Sequence, residues 1–368
     1  MAAHRTPEPD TPDASLTADE SFTATSSAGL TYPWGDFAPG AGTLHRIADG
    51  VRWARIPMPG SLGHINSWLL DEGDGVAVVD AGMLLHACSD AWKALFAGDL
   101  ADTPVTRVIG THLHPDHIGL AGWLCKRFGA DLWMTRGEWL TARMLIADVR
   151  DTVPDDFVRM QRAAGWDEDN IADMASKGWD RFARMVFEMP ISYRRIKDGD
   201  VLDLGAHRWR VVVGSGHSPE HACLLNEASG VLISGDQVLP RISSNVSVNL
   251  SEPNSDPLGE WLESIDKLLT LPDDLLICPA HGEPFHGLHI RLKALRDEHH
   301  RRLDDVHARL KEVPLRAVDC FSLLFNRPIG GHNRELATGE AIAHLNRLMA
   351  DGRARRDMVD GVHWFRAA

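Results

Sequence analysis

Residues 1–28 are dominated by Pro, Ser, Thr, Ala and acids, with no apolar run among them. Such a stretch cannot bury enough apolar surface to offset the entropy of ordering it, so it reads as a disordered tail. From Val51 the pattern changes to short β-rich runs, VRWARIPM, INSWLLDEG and GVAVVDAG. The acidic, Gly-containing turn from Asp71 to Gly75 predicts an antiparallel hairpin between the last two. LLHACSDAWKALFAG then carries helical spacing, VTRVIGTHLH reads as a buried strand running into a polar loop, and HIGLAGWLCKRFG reads as a second helix. Strand, helix, strand, helix implies an α/β layer.

Residues 137–195 break this rhythm with helical, Met- and aromatic-rich segments: EWLTARMLIADV, DDFVRMQRAAGW and ASKGWDRFARMVFEM. Their apolar stripes predict a helical insertion, either packed into a core in the ordinary way or serving as a lid. Strands resume in DVLDLGAHRWRVVVGSGHS, ACLLNEASGVLISGDQVL and LLICPAHGEPF, each with polar residues just past its apolar run, where sites collect. After His289 come three helical stretches, then RARRDMV and VHWFRA around an Asp360-Gly361 turn, a hairpin signal. Helices followed by a hairpin predict a winged-helix-like domain over 288–368, behind a domain spanning 29–287.

A length of 368 residues, 44% of them apolar, accommodates this two-domain arrangement. The net charge of -14 argues against a protein that coats nucleic acid or anionic membrane over its whole surface. The balance is uneven, however: from His289 onward fifteen Lys+Arg face eleven Asp+Glu, a local +4 that leaves about -18 on the rest. That module reads as a packing or dimerisation unit, so a homodimer is possible, with nucleic-acid docking the less favoured alternative. Five scattered Cys with no CxxC predict buried thiols in a reducing cytosol. With no secretory signal and nothing near the roughly 20 apolar residues of a membrane span, a soluble, cytoplasmic protein without a membrane partner is expected.

The chemistry concentrates in THLHPDHIG, where His112, His114, Asp116 and His117 stand within six residues. Alternation on an extended segment puts His112 and His114 on one side, and the turn at Pro115 brings Asp116 and His117 towards a second point. His217 in GSGHSPEH, Asp236 in SGDQ and His281 in PAHGEP follow, each after an apolar strand and beside Gly or Pro. Small residues there let the backbone turn while the ligand projects from a rigid strand end. Nitrogen and carboxylate ligands without thiolate suit zinc, with iron or manganese conceivable. Seven ligands exceed what one zinc can use, so two ions sharing Asp236 is the economical solution.

This ligand set, in this order, resembles that of the metallo-β-lactamase-fold hydrolases, and Asp80 in VVDAG matches an acidic position that ends an early strand of that fold. The resemblance spans roughly residues 45–287. It implies an α+β fold, a four-layer αβ/βα sandwich with a dinuclear site at one edge. His112, His114 and His217 would hold the first metal, Asp116, His117 and His281 the second, and Asp236 would bridge. The C-terminal region resembles the cap of one branch of the superfamily. The expected activity is hydrolysis of an ester-like bond, thioester or lactone, in a small apolar metabolite by a metal-bound hydroxide, with Asp116 also relaying a proton. A phosphodiesterase or nuclease and a β-lactamase-like amide hydrolase are the alternatives.

Met160, Trp166, Phe182 and Met185 in the insertion, with Met144, Trp179 and Phe187, are candidates to line an acyl pocket. Arg241 could meet a substrate anion or make a surface salt bridge. His221, His286 and Glu220 could orient the ligands, or be polar loop residues. The run QVLPRIS after Asp236 lacks the tyrosine that homoserine-lactone enzymes place there, and the C-terminal helices lack the glutathione-binding pattern of glyoxalase II.

Overall fold

The computed structural model describes residues 22–60, 62–326 and 328–368. Seven strands run in chain order across the first sheet: β1 (His45–Ala48), β2 (Val51–Pro57), β3 (His64–Glu72), β4 (Gly75–Val79), β5 (Val105–Ile109), β6 (Asp131–Met134) and β7 (Arg194–Arg195). The pairings from β1 to β4 are antiparallel, and those from β4 to β7 are parallel. The expected Asp71–Gly75 hairpin is the β3–β4 connection. The second sheet orders β8 (Val201–Leu204), β9 (His207–Gly214), β10 (His221–Asn226), β11 (Val231–Gly235) and β12 (Leu276–Pro279), with only β11–β12 parallel.

Both faces of each sheet are covered, and the two-residue period of the strands sorts the side chains between them. On β4, Ala77 and Val79 face the second sheet while Val76 and Val78 face the helices. On β10, Ala222 and Leu224 enter the inter-sheet core, whereas Cys223 and Leu225 face outward onto helices. The first sheet is backed by α1 (His86–Ala97) and α2 (Ala121–Phe128) through Trp92, Leu95 and Leu124. The layers are therefore helix, sheet, sheet, helix, the expected αβ/βα sandwich.

The segment 137–195 contains α3 (Arg136–Ala147), α4 (Asp155–Ala164) and α5 (Glu168–Ala175), then a single turn at Arg181–Arg184. Behind the second sheet lies α6 (Pro257–Leu268), then α7 (Leu288–Glu312), short helical turns over 317–324, and α8 (Arg334–Ala350). The chain ends in the hairpin Ala354–Val359/Val362–Ala367, whose turn residues Asp360 and Gly361 both have positive φ, as a two-residue primed turn requires. All five cysteines are free and buried. Among the described residues no helix is long and apolar enough to cross a membrane.

One expectation needs correcting. Of the tail assigned to residues 1–28, positions 1–21 lie outside the described residues, but Thr25–Ser27 pairs with Leu30–Tyr32 around a turn at Ala28 and Gly29 with positive φ. Leu30 and Tyr32 are buried in the core behind the second sheet, and Phe22 packs on the rings of Phe37 and His45. A few apolar residues anchor a segment whose composition alone argues for disorder.

Candidate metal centre

The seven residues of the sequence pattern all lie just past strand ends. His112 and His114 follow β5. The Pro115–Ile118 turn then starts with Pro at its first position, where a missing N–H costs nothing, and swings Asp116 and His117 the other way. His217 follows β9, Asp236 follows β11 and His281 follows β12. Gly235 has φ +51, and a Cβ there would lie 2.5 Å from His221 Nε2, so only glycine lets the chain deliver Asp236.

Ligand-type atoms of His112, His114, His217 and Asp236 lie within 4.8 Å of one another, as do those of Asp116, His117 and His281. In the first group His112 Nε2 is 2.8 Å from His114 Nδ1 and 3.2 Å from His217 Nε2. In the second, His281 Nε2 is 3.3 Å from Asp116 Oδ2, and His117 Nε2 is 3.7 Å from it. Asp236 stands between them: Oδ2 is 3.4 Å from His217 Nε2 and 3.5 Å from His117 Nε2, and Oδ1 is 3.6 Å from His281 Nε2.

Three of these atoms, His117 Nε2, His281 Nε2 and Asp236 Oδ1, are buried without a hydrogen-bond partner. Buried polar atoms are normally satisfied, so orphans converging on one point mark a place made for a cation. The protonation states of His112 and His114 agree. Burial and neighbouring imidazoles hold His112 well below its ordinary pKa and His114 down at about 3, leaving both neutral, as ligands must be. Burial opposes charge on Asp116 and Asp236, but His117 and the other facing imidazoles outweigh it, so Asp116 falls to about 2 and Asp236 well below its usual range. At His117 burial opposes the charged ring, yet Asp80, Asp236 and Asp116 hold its pKa well above normal. These buried carboxylates call for positive charge, and imidazole and carboxylate donors fit a divalent metal.

Behind the ligands stands a set of partners that fix ring orientation. His117 Nδ1 donates to Asp80 (2.7 Å), His217 Nδ1 to the carbonyl of Asn245 (2.7 Å) and His281 Nδ1 to the carbonyl of His64 (2.8 Å), so each turns Nε2 towards the cluster. Asp80, at φ +61, also accepts from Thr111 N and Oγ1. His221, one of the two expected orienting histidines, accepts the Asp236 N–H (3.0 Å) and stacks on His112. His286, the other, is not brought to the cluster. Its ring donates to Leu275 O and its backbone pairs with Thr31, which docks the N-terminal hairpin.

Sequence reasoning missed Glu138, a buried carboxylate at the start of α3 that accepts from Leu113 N, Ser218 Oγ and Glu220 N, tying the His112–His117 loop to the His217 loop. Burial raises its pKa against these hydrogen bonds. Asn66 was missed too: it donates to Pro279 O and Gly282 O and so frames His281. Nothing in RGEWL or HINSW distinguishes either residue from an ordinary polar one.

The insertion candidates separate into two groups. Phe182 packs against the core beneath the first sheet, and the Met185 carbonyl accepts from Leu84 N nearby. Met160 and Trp166 pack instead against the C-terminal core, where Trp166 Nε1 donates to Thr338 Oγ1 (2.9 Å) and its ring meets Phe321. Arg241 makes the salt bridge, to Glu283 at 3.1 Å, and lies over the Tyr32 ring.

Residues 60–281 match the family model of the metallo-β-lactamase superfamily, and residues 303–368 match that of the metallo-β-lactamase-like C-terminal domain. A solved β-lactamase domain protein from Burkholderia ambifaria superposes with a TM-score of 0.84 at 40% identity, over 92% of this chain and 98% of that one. The "Probable metallo-hydrolase YqjP" of Bacillus subtilis (strain 168) is 24% identical over 306 residues, covering 81% of this chain and 91% of its own. A hydroxyacylglutathione hydrolase of Francisella tularensis subsp. novicida (strain U112) is 29% identical over only 103 residues, 28% of this chain and 39% of its own. The arrangement of ligands, the sandwich that carries them and these matches lead to one conclusion: the chain belongs to the metallo-β-lactamase superfamily and is a metal-dependent hydrolase.

Proposed function

We propose that the protein is a dinuclear zinc hydrolase of an ester-like bond, thioester or lactone, in a small, largely apolar metabolite. The observation that carries this is Asp236, whose carboxylate stands between the two clusters, with Oδ2 near His217 and His117 and Oδ1 near His281. His112, His114 and His217 would hold one ion, Asp116, His117 and His281 the other, with Asp236 shared. Bound there, the ions would supply an acidified water and polarise the carbonyl oxygen. Asp116, whose carboxyl the facing His117 and His281 hold ionised, would relay a proton to the leaving group. Asp80, Asn245 and the His64 carbonyl hold the rings still, so little reorganisation accompanies reaction.

A nucleic-acid substrate fits less well. Part of the basic excess beyond residue 288 is met by carboxylates outside it: Arg296, Arg334 and Arg347 pair with Asp266, Asp173 and Asp256. We assign this region, three helical stretches and a hairpin, to a winged-helix-like module that packs rather than docks a polymer. The partial likeness to a hydroxyacylglutathione hydrolase supports a thioester among the candidate bonds.

The test is metal analysis of the purified protein paired with a panel of acyl-CoA, lactone, β-lactam and phosphodiester substrates. We expect two equivalents of zinc and turnover confined to thioesters or lactones. Undiminished turnover after metal removal, or turnover of phosphodiesters alone, would overturn the assignment.

A further inference from the structure

The loop after the bridging aspartate runs from Asp236 to Leu250 and touches the ligands twice. Ser244 Oγ donates to the carbonyl of Asp236, and the Asn245 carbonyl takes the Nδ1 proton of His217. The same loop is fastened to α8 of the C-terminal region at three successive points. Asn245 Nδ2 donates to Glu340 Oε2 at 2.8 Å, Ser247 Oγ to Leu336 O at 3.1 Å, and Val248 N to Gly339 O at 3.0 Å. Gly339 permits the approach, because a Cβ there would lie 2.7 Å from Ser247 Cβ. At the other end of the Asn245 side chain, Oδ1 shares the single Ser247 hydroxyl proton with Leu336 O. Glu340 is itself buried and braced by Arg302, which it meets at 3.3 Å.

From this geometry we infer that Glu340 is a positioning residue for the metal centre: acting through Asn245, it sets the direction of the His217 ring. The C-terminal region thereby completes the three-histidine cluster although it supplies no ligand. A carboxylate suits the task because it accepts from Asn245 Nδ2 with one oxygen while the other faces Arg302, so the amide cannot turn over. With Asn245 fixed, its carbonyl has one orientation, and the Nδ1–H of His217 follows it. Partners of this kind change metal affinity by about 10–100-fold when removed.

This inference rests on the two-site reading above, and the experiment separates the two. Co²⁺ is titrated into the metal-free, full-length protein against a chromophoric chelator, with the cobalt visible spectrum as readout. Wild type should fill two classes of site. Glu340→Ala and Asn245→Ala should each weaken one class by about 10-fold or more and leave the other unchanged. The same loss in an Asp116→Ala background would assign it to the His112, His114 and His217 cluster. Glu340→Gln retains an acceptor for Asn245 and should keep wild-type affinity, even though its amide faces Arg302 and lowers stability. Arg353→Gln, which breaks an ion pair with Asp304 inside the same C-terminal region, controls for general loosening and should also bind as wild type. Should Glu340→Ala not fold, Asn245→Ala carries the test alone. Unchanged affinity in the alanine variants, equal weakening of both classes, or the same loss in Arg353→Gln overturns the inference. A wild-type protein that takes up no cobalt sinks the metal reading itself.

Discussion

Asp80→Asn is the most discriminating single change, because the two side chains differ by one donor at a buried junction. In the native site Oδ1 accepts from Thr111 N (2.8 Å), and Oδ2 accepts from both Thr111 Oγ1 (2.8 Å) and His117 Nδ1 (2.7 Å). A backbone N–H can only donate, so the asparagine must keep its oxygen towards Thr111 N and present its NH₂ to His117. His117 then has to accept at Nδ1 and carry its proton on Nε2, the atom that faces Asp116 and Asp236. That tautomer cannot bind a cation. The loss belongs in the range of about 10–100-fold in affinity for partners behind metal ligands, or about 1.4–2.7 kcal/mol. It should fall on the Asp116, His117 and His281 cluster alone. Asparagine tolerates the φ of +61 at this position, but the charge-assisted bond to His117 is lost at about 1.5–3 kcal/mol, so the metal-free protein should still fold and melt several degrees below wild type. Metal content by emission spectrometry and a chelator-competition titration measure the effect. Two equivalents bound at wild-type affinity by Asp80→Asn would refute the tautomer argument.

Other outcomes follow from the same geometry. Asp236→Ala removes the carboxylate that faces both clusters, so metal content should fall towards zero and turnover by more than the about 100-fold that partners behind the ligands supply, measured on whichever ester the substrate panel identifies. Gly235→Ala drives a Cβ to 2.5 Å from His221 Nε2 at a φ of +51, so it should lower both the unfolding midpoint and metal uptake; a fully loaded variant of native stability would contradict this. His344 is fully buried, and burial holds its pKa at about 4. A base with a lowered folded pKa contributes stability above its unfolded value of about 6.5 that is lost as the pH falls through the folded value, here by about 3 kcal/mol down to pH 4. Burial sets Glu340 at about 7, which acts with the opposite sign between about 4.5 and 7, so urea midpoints of wild type and His344→Leu should be compared pairwise. Parallel profiles for the two proteins would contradict the assignment.

The cluster of histidines and aspartates was legible because its pattern is local: His112 to His117 declare themselves within six residues, and Asp236 and His281 each follow an apolar strand. The layers were legible for a similar reason, since strands buried on both faces, such as GVAVV, read as continuous apolar runs. What stayed hidden depends on contacts between distant parts of the chain. Glu138 meets Ser218 and Glu220 some eighty residues away, and Asn245 meets Glu340 across 95. The amphipathic stripes of the insertion announced faces to be covered but not what covers them, and Met160 and Trp166 meet the C-terminal region. His286 is the opposite case, a histidine near a ligand in sequence that the fold turns away to hold the N-terminal hairpin.

The origin of the ligands on two sheets has a further consequence for how the protein matures. His112 and His217 are 105 positions apart, and their rings meet only when β5 of one sheet and β9 of the other are in place. Closing so long a loop costs entropy that only the finished sandwich offsets, so the cluster cannot nucleate folding. Metal capture is then among the last events in the life of a newly made chain. It acts as a rivet driven through two finished plates, adding about 2.7 kcal/mol to the assembled sandwich when free metal stands at a hundred times its dissociation constant.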